Sequence, residues 1–279
     1  MIAILGSGAV GALLGAELTR AGIATALITT ERSAEAIARD GVTVASPVFG
    51  DHNIPVRAVT ALDTPPRVLL VAVKAPHLAA ALGRVAGEPE VVVPLLNGVD
   101  HMAVLRDRFP EVVAGTVRVQ AHREGLTRVV HRAPFLTVTL AQPGELTLAQ
   151  RLARADVEVV RGGPEADVLW AKLTRLAGLA LATTAADAPL GAVRADAEAV
   201  AREVAAVANA EGAAIDPDVV IAELRGLPDP ASSSLRADVT SGAADHELDA
   251  IGGAVLRAAA RHGLPVPRTA ALVARIGTL

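Results

Sequence analysis

Of the 26 lysine and arginine residues in this chain, all but two are arginine; the exceptions are Lys74 and Lys172. Arginine is a permanent cation, whereas burial lowers the pKa of a lysine until it can give and take a proton. Lys172 stands in the oily stretch "VLWAKLTRLAGLALATT" (168–184), beside the only tryptophan, Trp170. A compact, titratable amine in that setting suits proton donation to an oxygen that gains negative charge during a reaction. The plainer account is a lysine whose stem covers apolar surface while its amine reaches water.

A second group of candidates opens the chain. "MIAILGSGAVG" is a short apolar strand, then Gly6-x-Gly8-x-x-Gly11, then a helical run. Gly6 permits the tight turn, Gly8 lets the backbone approach a pyrophosphate, and Gly11 lets the helix pack closely on the strand. Ser7, Ala9 and Val10 complete that turn as dinucleotide contacts. The motif is weak alone, and the strand before it and helix after it supply its proper context. The next strand ends in "ITTERS", where Glu31 suits the ribose 2′-hydroxyl of NAD and Arg32 the 2′-phosphate of NADP. Both are present, so these residues leave the choice of cofactor open. Lys74 of "AVKAPHL" and Asn97 of "LLNGV" follow two further apolar runs, at the carboxyl ends of adjacent strands, where open α/β sheets bind ligands. A solvated lysine and an ordinary Asn-Gly turn are the plainer accounts of those two.

The elements that must position these residues follow from periodicity. Short β-branched runs at 1–5, 25–29, 67–73, 90–96 and 112–121 alternate with helical stretches, which argues for right-handed βαβ crossovers and a parallel sheet. The runs 135–140 and 157–162 read as later strands of the same sheet. Beyond "GGPEAD" (162–167) only helical patterns follow, at 167–186, 194–212, 216–225, 232–240, 246–263 and 267–277, punctuated by Gly and Pro. A boundary near Gly163 divides an α/β domain, 1–163, from an all-helical one, 164–279.

Composition narrows the classes. The chain has 279 residues, 52% of them hydrophobic but only 1% aromatic, so its core is built from Ala, Val, Leu and Ile. The net charge of −4 has no long run of one sign, which argues against nucleic acid as a partner. The densest basic stretch, "HREGLTRVVHR" (122–132), reads as a solvated face. Without cysteine there is no disulfide, thiolate metal site or cysteine nucleophile. The seven histidines show no HxxH or HExxH spacing, so no metal is expected. No apolar run is long enough to span a bilayer, and the start lacks the pattern of a signal peptide, so a cytoplasmic protein is the default.

Taken together, "GSGAVG", "VKAPHL", "LLNGVD", "GTVRV", "WAKL", "PLG", "SSSL", "ELDAIGGAV" and "HGLPVPRT" resemble the ketopantoate reductase (2-dehydropantoate 2-reductase) family, in the family's order over nearly the whole chain. The resemblance implies an N-terminal Rossmann-type domain and a helical domain like that of 6-phosphogluconate dehydrogenase, with substrate and nicotinamide meeting between them. It implies NADPH as cofactor and a small 2-oxo acid as substrate, and is compatible with a homodimer. Lys172 falls on the family's catalytic lysine, which protonates the carbonyl oxygen as hydride arrives. Glu247 of "HELDAIGG" matches its acidic partner, which contacts the substrate hydroxyls; a helix N-terminal acid is the plainer account. Ser233 matches a substrate-binding serine and also suits a helix N-cap. Lys74 and Asn97 match residues lining the nicotinamide and substrate side, and Thr30 and Arg32 stand where the family's cofactor-reading arginine is expected.

The chain departs from the family at several points. Leu176 and Ala180 replace asparagines usual four and eight residues after the lysine, on the helix face expected to look toward substrate. Leu96 replaces a glutamine, and Thr30 the arginine that ends the second strand. The alternatives to ketopantoate reduction are therefore a related reductase of another, less polar 2-oxo acid, and a non-catalytic NAD(P)-binding protein.

Overall fold

The computed structural model describes residues 1–142 and 144–279, which form two compact units. The first comprises Met1–Val73, His77–Leu96 and His101–Gly162; the second takes Gly163–Leu279 together with the short segments Lys74–Pro76 and Asn97–Asp100. Those two segments follow apolar strands in the chain yet belong by their contacts to the helical unit. Apart from those two segments, the division falls between Gly162 and Gly163.

The first unit contains β1 (Ile2–Leu5), β2 (Thr25–Ile28), β3 (Val42–Ala45), β4 (His52–Ile54), β5 (Arg57–Val59), β6 (Val68–Val71), β7 (Val91–Pro94), β8 (Gly115–Arg118), β9 (Ala121–Glu124), β10 (Arg128–His131), β11 (Thr137–Leu140) and β12 (Glu158–Arg161). Its helices are α1 (Ala9–Arg20), α2 (Glu31–Asp40), α3 (Leu78–Leu82), α4 (His101–Arg106) and α5 (Leu146–Arg154). The central sheet runs β5-β2-β1-β6-β7, every neighbouring pair parallel. All residues of β1, β2, β6 and β7 are buried, as expected of strands covered on both faces. The chain order reverses between β1 and β6, and such a switch point opens a crevice at the carboxyl ends of the strands. The glycine turn leaves β1 there.

The single sheet expected from the sequence is corrected to three. The runs 135–140 and 157–162 join β8 in a separate sheet, β12-β11-β8, and a third sheet runs β4-β3-β10-β9. The run 112–121 breaks into β8 and β9, which lie in different sheets. The strands β3, β4 and β5 have only three or four residues each, too few to stand out in the sequence. The basic stretch 122–132 is a solvated face only in part: Glu124, Arg128 and Arg132 are exposed, while other residues turn inward. It forms the β9–β10 hairpin, with His131 only 2% exposed and bonded to Ser46 Oγ at 2.9 Å.

The second unit is helical throughout its described residues: α6 (Glu165–Ala185), α7 (Leu190–Ala210), α8 (Pro217–Gly226), α9 (Ser234–Thr240), a π-turn at Asp249–Gly253 running into α10 (Ala254–His262), and α11 (Pro267–Ile276). The core between α6 and α7 uses small side chains, among them Ala177, Ala197 and Ala201. A Cβ on Gly178 would lie 2.8 Å from the Ala197 carbonyl oxygen, so glycine is what lets these two helices approach so closely.

The same argument gives a test at the glycine turn. A Cβ on Gly11 would lie 2.0 Å from the carbonyl oxygen of Gly6, backbone against backbone. Gly11→Ala is expected to cost about 1–3 kcal/mol, the usual penalty of overpacking. The loss should show as a lower urea midpoint with an unchanged slope.

Candidate active site

The site is built around Glu247, which is 9% exposed. One carboxylate oxygen, Oε2, accepts from Asn97 Nδ2 at 2.8 Å, and the other, Oε1, accepts from the backbone N–H of Ala75 at 3.3 Å. Asn97 reaches it through its turn. Gly98 has φ +84°, and a Cβ there would lie 2.3 Å from the Ala250 carbonyl oxygen, so the Asn-Gly pair docks directly on the π-turn backbone. Arg257 of α10 fastens the same segment, donating to Asp100 at 2.7 Å and to Asp249 at 2.7 Å. π-turns are rare and concentrate at functional sites. This one sets the helix register just after Glu247.

Lys172 lies half-buried on α6, within electrostatic reach of Glu247. Burial pushes its amine down from 10.5 to about 8; the Glu247 carboxylate opposes that drop, and the Arg175 guanidinium adds to it. An amine so placed changes charge just above neutrality. Lys74 pairs with Asp238 at 3.1 Å and Asp245 at 3.6 Å. Lys74, Asn97, Lys172 and Glu247 are thus brought into one unit.

Ser233 is not beside them. It caps α9 by accepting from the Arg236 N–H, and its hydroxyl lies 3.2 Å from Thr183 Oγ1. Thr183 is eleven residues past Lys172 on α6, roughly 16 Å of helix rise. Leu176 packs against the helical core, and Ala180 is fully buried within it. The expectation that Ala180 faces substrate is therefore corrected.

In the first unit, Gly8 is the exposed N-cap of α1, with no side chain capping the helix and no acidic residue in its first turn. A Cβ on Gly8 would meet nothing closer than the Ala72 carbonyl oxygen at 3.9 Å, so the turn is open where a phosphate would approach. Free helix N–H groups and open space fit a dinucleotide pyrophosphate. Gly6, at φ +106°, would clash with Val73 if it bore a side chain. Ala9 and Val10 occupy the first turn of α1, and Ser7 is buried, its hydroxyl 2.6 Å from that of Thr29. Thr30 caps α2 by accepting from the Ser33 N–H, and Glu31 and Arg32 are exposed in that helix's first turn.

Two arginines carry no motif and escape a reading of the sequence. Arg123 Nη1 donates to the Ser7 carbonyl at 2.7 Å, and Arg84 Nη1 donates to the Thr29 carbonyl at 3.1 Å. The signal for Arg123 is strand alternation: His122 and Glu124 share one face of β9, where they pair at 3.2 Å, which sends Arg123 to the other.

Comparison with known proteins gives the family. The family model described as "Ketopantoate reductase PanE/ApbA" matches residues 2–144, and "Ketopantoate reductase PanE/ApbA C terminal" matches residues 166–279. The chain belongs to the ketopantoate reductase family. A 2-dehydropantoate 2-reductase of Mycobacterium tuberculosis (strain ATCC 25618 / H37Rv) is 32% identical over 98% of this chain and 95% of its own length. The crystal structure of a PanE/ApbA family ketopantoate reductase from Ralstonia eutropha JMP134 superposes with a TM-score of 0.87 at 27% identity, covering 99% of this chain and 97% of that one. A D-mandelate dehydrogenase in complex with NADH and anilino(oxo)acetate shares the fold, with a TM-score of 0.88 at 20% identity over 99% of this chain and 97% of that one. Among the described residues no helix is long and apolar enough to cross a membrane.

The lowered amine gives a stability test with a definite sign. Because the folded pKa of Lys172 lies below the unfolded value, the unfolded chain holds the proton more tightly, and the charged amine opposes folding below pH 8. Lys172→Met is expected to be more stable than wild type at pH 7, by at most about 3 kcal/mol. The difference should shrink as pH rises from 8 toward 10.5 in urea titrations. A constant difference across that window would contradict the burial of the charge.

Proposed function

We propose that the protein is an NADPH-dependent reductase of 2-oxo acids that converts 2-dehydropantoate to pantoate, a step toward pantothenate and coenzyme A. The single observation that carries this reading is the amine of Lys172, lowered to about 8 and set near the Glu247 carboxylate. Residues 1–163 serve as the NADP-binding domain. Residues 164–279, with Lys74 and Asn97, serve as the substrate and catalytic domain.

When bound, the dinucleotide supplies a hydride to the carbonyl carbon. The chain's own residues do the rest. Lys172 as an ammonium stabilises the charge growing on the carbonyl oxygen and delivers its proton there. Glu247 favours the charged amine, and its oxygens, held by Asn97 and the Ala75 N–H, are fixed to accept from substrate hydroxyls. Lys74 attracts the substrate carboxylate, with Asp238 and Asp245 as its resting partners. The Gly6–Gly11 turn, with Ser7, Ala9 and Val10, holds the pyrophosphate. Arg32 reads the 2′-phosphate: it is a cation in the first turn of α2, where the helix dipole disfavours it, and no partner holds it among the described residues.

A related reductase of a less polar 2-oxo acid is the second reading, favoured by one observation. The α6 position one turn past Lys172 is Leu176, which is only partly buried and cannot bond a hydroxyl. A panel of 2-oxo acids, followed by loss of NADPH absorbance and repeated with NADH, separates the two.

Three outcomes are expected. Turnover in the reductive direction should fall above about pH 8 as Lys172 loses its proton, while oxidation of the hydroxy acid should rise through the same range. Lys172→Ala should lower kcat by about 10²–10⁴ with NADPH affinity nearly unchanged, and a fully active Lys172→Arg variant would remove the lysine from that role. Arg32→Ala should lower the preference for NADPH over NADH at least about tenfold, the worth of one charge-assisted phosphate contact; equal loss for both would assign Arg32 to folding.

A further inference from the structure

The glycine turn holds an interaction that the dinucleotide-binding motif does not require. Arg123, on β9 and far from the turn in sequence, directs Nη1 at Ser7, 2.7 Å from its carbonyl oxygen and 3.3 Å from its hydroxyl. Ser7 is the middle residue of Gly6-Ser7-Gly8, so its carbonyl belongs to the same peptide as the Gly8 N–H. A trans peptide is planar, with its C=O and N–H pointing in opposite directions. Fixing the Ser7 carbonyl therefore fixes the direction of the Gly8 donor. The Ser7 hydroxyl is held in turn by Thr29, at the carboxyl end of β2.

The charge of Arg123 is the second part of the observation. Several half-buried arginines in this chain face acids: Arg175 lies 3.7 Å from Glu223, Arg194 2.7 Å from Asp229, and Arg236 2.9 Å from Asp187, whereas Arg123, like Arg84, is bonded to a backbone carbonyl instead. Among the described residues no carboxylate lies within ion-pairing distance of Arg123. Burial alone lowers its pKa, with no acid to offset the cost. A neutral donor would bond the Ser7 carbonyl without that desolvation penalty. A cation retained without an acid, beside the uncapped N-terminus of α1, leaves a net positive site at the turn.

We propose that Arg123 is a positioning residue of the dinucleotide site, holding the Ser7–Gly8 peptide in the orientation that meets the phosphates and supplying positive charge next to it. The proposal rests on the dinucleotide reading above and extends it to a residue outside the motif. It concerns the phosphates common to NADH and NADPH, so it is separate from the selectivity assigned to Arg32.

The test is calorimetric binding of NADPH, ADP and adenosine to the full chain, comparing wild type with Arg123→Met and Arg123→Lys. Arg123→Met is expected to weaken NADPH and ADP alike by about tenfold or more, the worth of a charge-assisted hydrogen bond. Adenosine, which has no phosphate, should bind as before, and Arg123→Lys should recover most of the ADP affinity. ADP binding to Arg123→Met within twofold of wild type would overturn the proposal, and so would an equal loss for adenosine, which would mean general damage to the turn. If Arg123→Met does not fold, the wild type still decides. Phenylglyoxal modification of Arg123, read by peptide mapping, should be slowed by ADP and not by adenosine; equal rates with and without ADP would overturn the proposal. Failure of wild type to bind NADPH or ADP would instead remove the dinucleotide reading beneath it.

Discussion

The carboxylate of Glu247 has both oxygens committed, one to the amide of Asn97 and one to the backbone of Ala75, while its charge acts on the amine of Lys172. A buried carboxylate is costly unless it is hydrogen-bonded and faces positive charge. Much of the helical unit's local detail serves that requirement. The Asn97 turn reaches the carboxylate because Gly98 takes a left-handed conformation against the Ala250 carbonyl. Arg257 fastens the segment by bonding Asp100 and Asp249 together. The π-turn sets the angle at which the chain leaves Glu247 for α10. One residue more or less in that turn would rotate the carboxylate by about 100° relative to α10, away from its donors.

The two lysines diverge although both escaped replacement by arginine. Lys172 meets desolvation that one carboxylate only partly offsets, so its amine titrates near neutrality. Lys74 instead pairs with two aspartates, Asp238 and Asp245. An arginine at position 172 would keep the charge but could not surrender a proton readily.

The glycine turn and the helical second half were legible because each rests on short-range chemistry: a turn only glycine can make and a period of 3.6. Lys74, Asn97, Lys172 and Glu247 were named together only because ordered motifs resemble a family. Three things were not legible. The division of the strands into three sheets depends on pairings between residues far apart, as when β3 pairs with β10, and no local pattern encodes it. Ser233 was matched to a substrate-binding serine by motif order, which says nothing of distance along a helix; it caps α9 and its hydroxyl contacts Thr183. Arg123 was hidden in a stretch whose charge suggested solvent. Alternation along β9 turns it inward, toward a residue 116 positions earlier.

Trp170 is the only tryptophan, there is no tyrosine, and it lies buried on α6 two residues before Lys172. The three phenylalanines, Phe49, Phe109 and Phe135, all belong to the first unit and absorb only weakly. The helical unit is therefore the luminescent half of the molecule, and the unit bearing the glycine turn is optically dark. Emission recorded during denaturation follows the melting of α6 and its packing alone, while backbone dichroism follows both units. Comparing the two signals measures whether the halves unfold as one cooperative body.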